Sequence, residues 1–146
     1  MPNANKNVIT AAGSAPIFSS AIRSGDKVYL AGLVGVGADG KLVSGGVQAE
    51  TVQALKNATE RLSHAGLDLS DVISVTIYVN DYANNIGPLN EVYPAQFPAD
   101  VGLPVRTAIG VAALPLNAAA EFQIVSAVRR VAEAAGRGLR ASERLR

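Results

Sequence analysis

Cysteine and tryptophan are absent from this sequence of 146 residues, and histidine occurs once, as His64. Without cysteine the chain has no disulfide, no thiol nucleophile and no thiolate metal ligand, and this composition fits a reducing compartment. A single histidine with no second histidine or cysteine beside it argues against a metal site or a Ser-His-Asp triad. We therefore expect no bound metal, and His64 is expected to be a solvated helix residue.

Long apolar runs are also missing. No segment is long enough to span a bilayer, and the first residues lack the charged and apolar regions of a signal peptide. We expect a cytoplasmic protein that binds no membrane.

The net charge is only +1, but the charges are distributed unevenly. Residues 129–146 contain six arginines and two glutamates, a local charge of +4, so the preceding part is mildly acidic. We interpret residues 1–128 as the folded domain and 129–146 as a basic C-terminal tail. Contact of that tail with nucleic acid is the disfavoured alternative.

Hydrophobic residues make up 49% of the chain, enough for one domain with a real core. The hydrophobic periodicity predicts the order ββαβαββ, an α+β fold in which two helices cover one face of a single sheet. The expected strands are 18–23, 27–34, 72–79, 105–113 and 119–128. The expected helices are 47–65 and a second one with Pro88 in its first turn, ending near Pro98. The last two strands are expected to form an antiparallel hairpin through a turn at 114–117.

Strand 72–79 is β-branched along most of its length, which is typical of a central strand buried on both faces. The face of the sheet that no helix covers is nevertheless hardly polar, and this predicts an oligomer. Clefts between subunits would then be the places for a ligand.

Arg106 and Glu121 are the only ionised side chains between residues 101 and 128. A charge in so apolar a stretch must be paired, solvated in a cleft, or functional. In the expected hairpin the two residues lie about 13 Å apart along the ladder, so their side chains would hardly reach each other within one chain. A second subunit, or a substrate with a water molecule, would close the gap.

The chain resembles the reactive-intermediate deaminase family, also called RidA, YjgF or endoribonuclease L-PSP, over about residues 8–128. The matching positions are Ile9, Thr10, 19–25, Ala31, Gly32, Asn57, 90–93, Pro104, Arg106, Leu114, Pro115 and Glu121. The resemblance implies a chorismate-mutase-like homotrimer with a mixed sheet, whose sheets line a central barrel. It also implies three ligand sites at the subunit interfaces.

The resemblance further implies hydrolytic deamination of enamines and imines, such as 2-aminoacrylate, to keto acids and ammonia without a cofactor. Arg106 would grip the substrate carboxylate through its planar fork, and Glu121 would hold and deprotonate the attacking water. The structural alternative is a buried Arg106–Glu121 ion pair that only stabilises the trimer. The other positions expected at the substrate are Phe18, Ser19, Ala31, Gly32, Leu33, Asn90, Tyr93 and Ala108. Of these, Asn90 is expected to cap or pack beneath the site.

Several polar residues of the family pattern are apolar here. Phe18 stands where active deaminases usually have tyrosine, Ala31 and Leu33 replace serine and glutamine, and Ala108 replaces cysteine. Three functions therefore stay open: imine deamination, with a pocket that would accept a larger or more hydrophobic imine; non-catalytic or regulatory binding of small carboxylates; and RNA cleavage. The last is the weakest, because the domain shows no basic and aromatic stripe for RNA.

Overall fold

The structure, a computed structural model, describes residues 1–130, with two helices and eight strands among them. A six-stranded sheet has the order β1-β4-β5-β8-β6-β7, and β2 and β3 form a separate two-stranded sheet. The helices are α1 (Gly46–Ser63) and α2 (Tyr82–Val92). The strands are β1 (Asn7–Val8), β2 (Ser14–Ala15), β3 (Phe18–Ser19), β4 (Ala21–Ser24), β5 (Lys27–Leu30), β6 (Val72–Asn80), β7 (Val105–Val111) and β8 (Ala120–Ala127).

The expected helix at 47–65 is confirmed as α1 within two residues at its C-terminal end. Its buried stripe repeats at helical spacing, and the apolar members of that stripe are Val47, Ala54, Leu55, Ala58 and Leu62. The helix ends because Gly66 adopts a φ of 71°, which lets Leu67 N–H bond the carbonyl of Leu62 at 3.0 Å.

The second helix begins earlier than expected. The sequence placed Pro88 in the first turn, but α2 starts at Tyr82, so Pro88 lies inside it. Asp81 follows the last residue of β6 and has a φ of 50°. Its carbonyl accepts hydrogen bonds from the N–H groups of Asn84 and Asn85. These hydrogen bonds start the helix before Pro88, although proline prefers the first turn of a helix. The helix ends at Val92, and a short 3₁₀ turn, Pro94–Gln96, follows.

The expected pairing of the last two strands is wrong. β7 pairs in parallel with β6, β8 pairs antiparallel with the other side of β6, and β6 therefore separates them. The connection is not a tight hairpin, because β6 lies between the two strands that it joins. It contains a 3₁₀ turn in which Leu116 and Asn117 both adopt left-handed φ values, 57° and 56°. That turn carries the chain past the end of β6. The sheet is consequently mixed, with helix α2 as the crossover that a parallel pair requires.

The expected first hairpin is confirmed in part. β4 and β5 pair from Ala21–Leu30 to Ser24–Lys27, and Gly25 in the turn has a φ of 59°. The expected strand 18–23 is interrupted at Ser20, because Phe18–Ser19 pairs with β2 instead of continuing along the large sheet.

β6 is buried on one face only, contrary to the expectation that both faces are covered. After a register shift between Val72 and Ser74, the side chains of β6 point alternately to the two faces of the sheet. Val75, Ile77 and Val79 face the helices and are at most 1% exposed. The opposite side of the six-stranded sheet, here called the open face, exposes Tyr29 by 47%, Val105 by 72% and Ile109 by 44%. This face matches the uncovered apolar surface that the sequence predicts.

Most of the predicted tail, residues 131–146, lies outside the described residues. Its first member, Arg129, contacts the domain: Nη2 lies 2.9 Å from Asp71 Oδ2 and 3.4 Å from Asp68 Oδ2. A domain boundary at residue 128 stays a prediction. Neither α1 nor α2 is long and apolar enough to cross a membrane, and no other helix within residues 1–130 is either.

Candidate functional site

Arg106 lies on β7, at one edge of the six-stranded sheet. It pairs with Val75, so its side chain is on the face that the helices cover. Nη2 donates a 2.5 Å hydrogen bond to Oδ1 of Asn90, and the guanidinium carbon lies 4.8 Å from the centre of the Tyr93 ring. Both partners are uncharged, so the guanidinium is oriented without being neutralised.

Tyr93 forms the floor beneath this guanidinium. The residue is only 3% exposed, its ring centre lies 5.0 Å from that of Phe97, and its buried hydroxyl has no hydrogen-bond partner within residues 1–130. Burial raises the pKa of Tyr93 to about 12, and the nearby Arg106 charge offsets this only partly. The phenol is therefore neutral at physiological pH and keeps a free donor.

Glu121 lies on β8 and on the open face. Its neighbour across the ladder is Tyr78, whose hydroxyl is 3.5 Å from Oε1 of Gln123. The Glu121 carboxylate rests on the backbone of Gly32, where an added Cβ would overlap Oε1. A side chain at this position would displace the carboxylate, and glycine allows the close approach.

The backbone around Gly32 is attached on both sides. Ala31 N–H donates to the carbonyl of Ser20 at 3.0 Å, and Leu33 exchanges two 2.8 Å hydrogen bonds with Phe122. The Leu33 side chain is 2% exposed and belongs to the core, so it faces the helices and not Glu121. The support for Glu121 is thus a fixed piece of main chain.

The predicted site residues fall into two groups. The Arg106 group contains Arg106, Asn90, Tyr93 and Ala108, which pairs with Ile77 on the helix side of the sheet. The Glu121 group contains Glu121, Gly32 and Ala31. Phe18 and Ser19 of β3 are connected to it through the next residue, Ser20, whose carbonyl accepts the hydrogen bond from Ala31 N–H. Within one chain the groups are not brought together.

Arg106 and Glu121 face opposite sides of the sheet, because Arg106 is level with Val75 and Glu121 with Tyr78. Three residues along β6 and two strand spacings separate them, roughly 10 Å in each direction. Within residues 1–130 they form no ion pair with each other. The structural alternative, an Arg106–Glu121 ion pair, is therefore not formed within residues 1–130 of the single chain, and a pair between subunits stays a prediction.

His64 is hydrogen-bonded to Glu60, with Nε2 2.8 Å from Oε1. Among residues 1–130 no cluster of three histidine or carboxylate side chains is arranged to hold a metal. Two grooves of about 390 and 430 Å³ run along α1, and neither is lined by Arg106 or Glu121.

Two residues of interest escape the sequence analysis. Tyr78 shares the open face with Glu121, but this follows only from the observed register. Glu50 is 7% exposed and bonds Ala119, two residues before Glu121. A signal for Glu50 was available, because it falls three residues after Val47 and four before Ala54 on the apolar stripe of α1.

Comparison with known proteins shows which family and which relatives the chain resembles. The family model described as endoribonuclease L-PSP matches residues 8–128. A Homo sapiens protein named 2-iminobutanoate/2-iminopropanoate deaminase is 37% identical over 117 residues, which cover 80% of this chain and 83% of that protein. Reactive Intermediate Deaminase A, chloroplastic, of Arabidopsis thaliana is 40% identical over 110 residues, 75% of this chain. The chain spans 57% of the length of that plant protein.

The fold has solved counterparts as well. A Yersinia pestis protein of unknown function from the Rid family, YyfA, superposes with a TM-score of 0.76 at 28% identity and covers 84% of this chain and 99% of that one. Yeast Mmf1 gives a TM-score of 0.73 at 27% identity, covering 80% and 90%.

Proposed function

The chain belongs to the endoribonuclease L-PSP family, and from this premise we propose that it hydrolyses reactive imines and enamines to keto acids and ammonia. One observation carries the proposal. The Arg106 guanidinium is held by the neutral groups of Asn90 and Tyr93, so its charge is available to a ligand carboxylate. Relatives 37–40% identical are named for this activity or for reactive intermediates.

In the proposed reaction Arg106 binds the carboxylate of a 2-imino acid, and Glu121 accepts a proton from a water molecule as its oxygen attacks the imine carbon. The carbon–oxygen bond forms, and the electron pair of the C=N bond moves to nitrogen. Glu121 returns its proton to nitrogen, which gives a neutral carbinolamine. The hydroxyl proton is then transferred through Glu121 to the amino nitrogen, and the carbon–nitrogen bond breaks to release ammonia and the keto acid. An enamine enters the same sequence after tautomerisation to the imine, in which its β carbon gains a proton and its nitrogen loses one. The imine carbon is already electrophilic, so the residues need only bind, orient and move protons.

We propose that two subunits complete each site. Arg106 is at a sheet edge and Glu121 on the open face, so a neighbouring copy can bring one beside the other. The exposed Tyr29, Val105 and Ile109 supply apolar area for such contacts. The assembly that fits is a chorismate-mutase-like homotrimer with the open faces lining a central barrel, located in the cytoplasm. Light scattering at micromolar concentration should return three times 15.0 kDa, and a monomer would contradict both trimer and shared site.

The activity is tested by supplying 2-aminoacrylate generated enzymatically, together with bulkier imino acids, and measuring ammonia and keto-acid release. The expected result is release above the spontaneous rate. Release at the spontaneous rate for every substrate would contradict the proposal.

A non-catalytic carboxylate-binding module is the second candidate, and one observation favours it. Phe18, which is 49% exposed, and Ala31 are apolar at positions where active deaminases usually carry a side-chain hydroxyl, so fewer polar groups lie on the segments that lead to Glu121. Pyruvate binding without any turnover would select this function. RNA cleavage is the third candidate, and degradation of single-stranded RNA in the same preparation would select it.

A further inference from the structure

Glu50 is a buried carboxylate near the start of α1. Only 7% of its surface is exposed, and its Oε1 accepts a 2.8 Å hydrogen bond from Ala119 N–H. Ionisable side chains are rarely buried to this extent unless their polar atoms are engaged. The bond also joins residues 69 positions apart, so it fixes one part of the chain against another.

The partner of Glu50 is the residue that leads into the strand carrying Glu121. Ala119 N–H is held by Glu50, and Ala119 C=O accepts a 2.9 Å bond from Asn80 N–H. Leu116 and Asn117, three and two residues before it, lie in the left-handed region, which non-glycine residues adopt at a cost. The start of β8 therefore depends on bonds from outside the turn.

Residue 50 also packs against the segment that supports the Glu121 carboxylate, the main chain from Gly32 to Gly35. Gly35, three residues after Gly32, packs so closely on α1 that an added Cβ would lie 2.5 Å from the carbonyl oxygen of Glu50 and 2.6 Å from its Cα. The Glu50 main chain thus contacts the segment that follows Gly32, and the Glu50 side chain bonds the residue that precedes β8, so the side chain ties the start of β8 to a helix position already packed on the Gly32 segment.

We propose that Glu50 is a positioning residue that holds the Glu121 carboxylate against Gly32, an inference that rests on the proposed imine hydrolysis. Displacement of a catalytic group by about 1 Å can reduce rates by about 100-fold. Arg106 is held by α2 and β7 on the opposite face, so substrate anchoring does not depend on Glu50. Loss of the Glu50 bond should therefore lower kcat and leave KM unchanged.

The test compares Glu50→Ala with Glu50→Gln, whose amide oxygen accepts the same bond from Ala119. Glu60→Ala is the matched control, because Glu60 is an exposed glutamate on the same helix. We expect kcat to fall about tenfold in Glu50→Ala with KM within about twofold, while Glu50→Gln and Glu60→Ala stay near wild type. Hydrogen exchange at the Ala119 amide should be slow in wild type and Glu50→Gln.

Wild-type kcat in folded Glu50→Ala, equal losses in both Glu50 variants, or a raised KM at constant kcat would overturn the inference. If Glu50→Ala does not fold, the other variant decides: slow Ala119 exchange with near-wild-type kcat in Glu50→Gln supports the role, and fast exchange in wild type overturns it. A wild-type protein without turnover would instead refute the proposed hydrolysis, and this inference with it.

Discussion

Side chains hold Arg106, whereas main chain supports Glu121. The guanidinium lies between the Asn90 amide and the Tyr93 ring, both from α2 or the residue after it. The carboxylate rests on Gly32, in a segment bonded to β8 through its backbone. A point mutation can therefore remove a side chain that holds Arg106. The main chain that supports Glu121 is affected only by a mutation that adds atoms or moves the backbone. Because the two groups face opposite sides of one sheet, each subunit would carry two half-sites of the proposed shared site.

The largest expected effect is on turnover after Glu121→Gln. Removing a general base typically costs 10²–10⁴-fold, so we expect kcat to fall at least about 100-fold, while pyruvate binding, which depends on Arg106, is preserved. Gln123→Ala, on the same strand and face, is the control. Loss of pyruvate binding in Glu121→Gln would show that the two half-sites do not have separate roles.

Arg106→Ala should weaken pyruvate binding at least about tenfold, because the loss of a desolvated charged contact typically costs 2–5 kcal/mol. Isothermal titration calorimetry measures the effect. Arg106→Lys keeps the charge but loses the planar fork, and should lie between wild type and the alanine variant. If Arg106→Ala and Glu121→Gln both bind and turn over normally and only Tm changes, the two residues are structural and the deaminase assignment fails.

Gly32→Ala tests whether main chain supports the carboxylate. The new methyl group would overlap the movable end of Glu121, so we expect kcat to fall about fivefold with little change in Tm. Gly87→Ala is the matched control, because a Cβ there meets no atom within 4 Å. An unchanged kcat in Gly32→Ala would mean that Glu121 is not held where the structure places it.

The smallest effect is expected far from both half-sites. Hydrogen bonds from Ser70, and then the Arg129 charge, hold the pKa of Asp68 below its ordinary value of 3.8. A lowered pKa stabilises the folded state above pH 3.8, and this contribution is lost as pH falls through the folded value. Asp68→Asn should lower Tm at pH 7 by no more than about 2 °C, since the pair is exposed.

The Asp68→Asn difference should vanish in acid, and Asp100→Asn, another exposed aspartate, should show none. A Tm difference that persists unchanged below pH 3 would show that Asp68 acts through something other than its charge.

Local patterns predicted the helices and the first hairpin, and the motif residues led to Arg106 and Glu121. The position of β6 between β7 and β8 was not predictable, because nothing in residues 105–128 distinguishes a hairpin from two strands flanking a third. That error affected the site: the expected hairpin allowed Arg106 and Glu121 to share a ladder, whereas the observed register puts them on opposite faces. Pro88 misled because helix α2 already begins at the Asp81 turn and continues through an interior proline.

Complementation between two inactive variants tests the central claim, that each site takes Arg106 from one subunit and Glu121 from another. Arg106→Ala and Glu121→Gln are mixed one to one, dissociated and reassembled, and imine hydrolysis is measured. With random assembly, about a quarter of the interfaces combine an intact arginine with an intact glutamate, so about a quarter of wild-type activity should return. Activity no higher than that of the two variants alone, in assemblies proven to be mixed, would contradict the shared site.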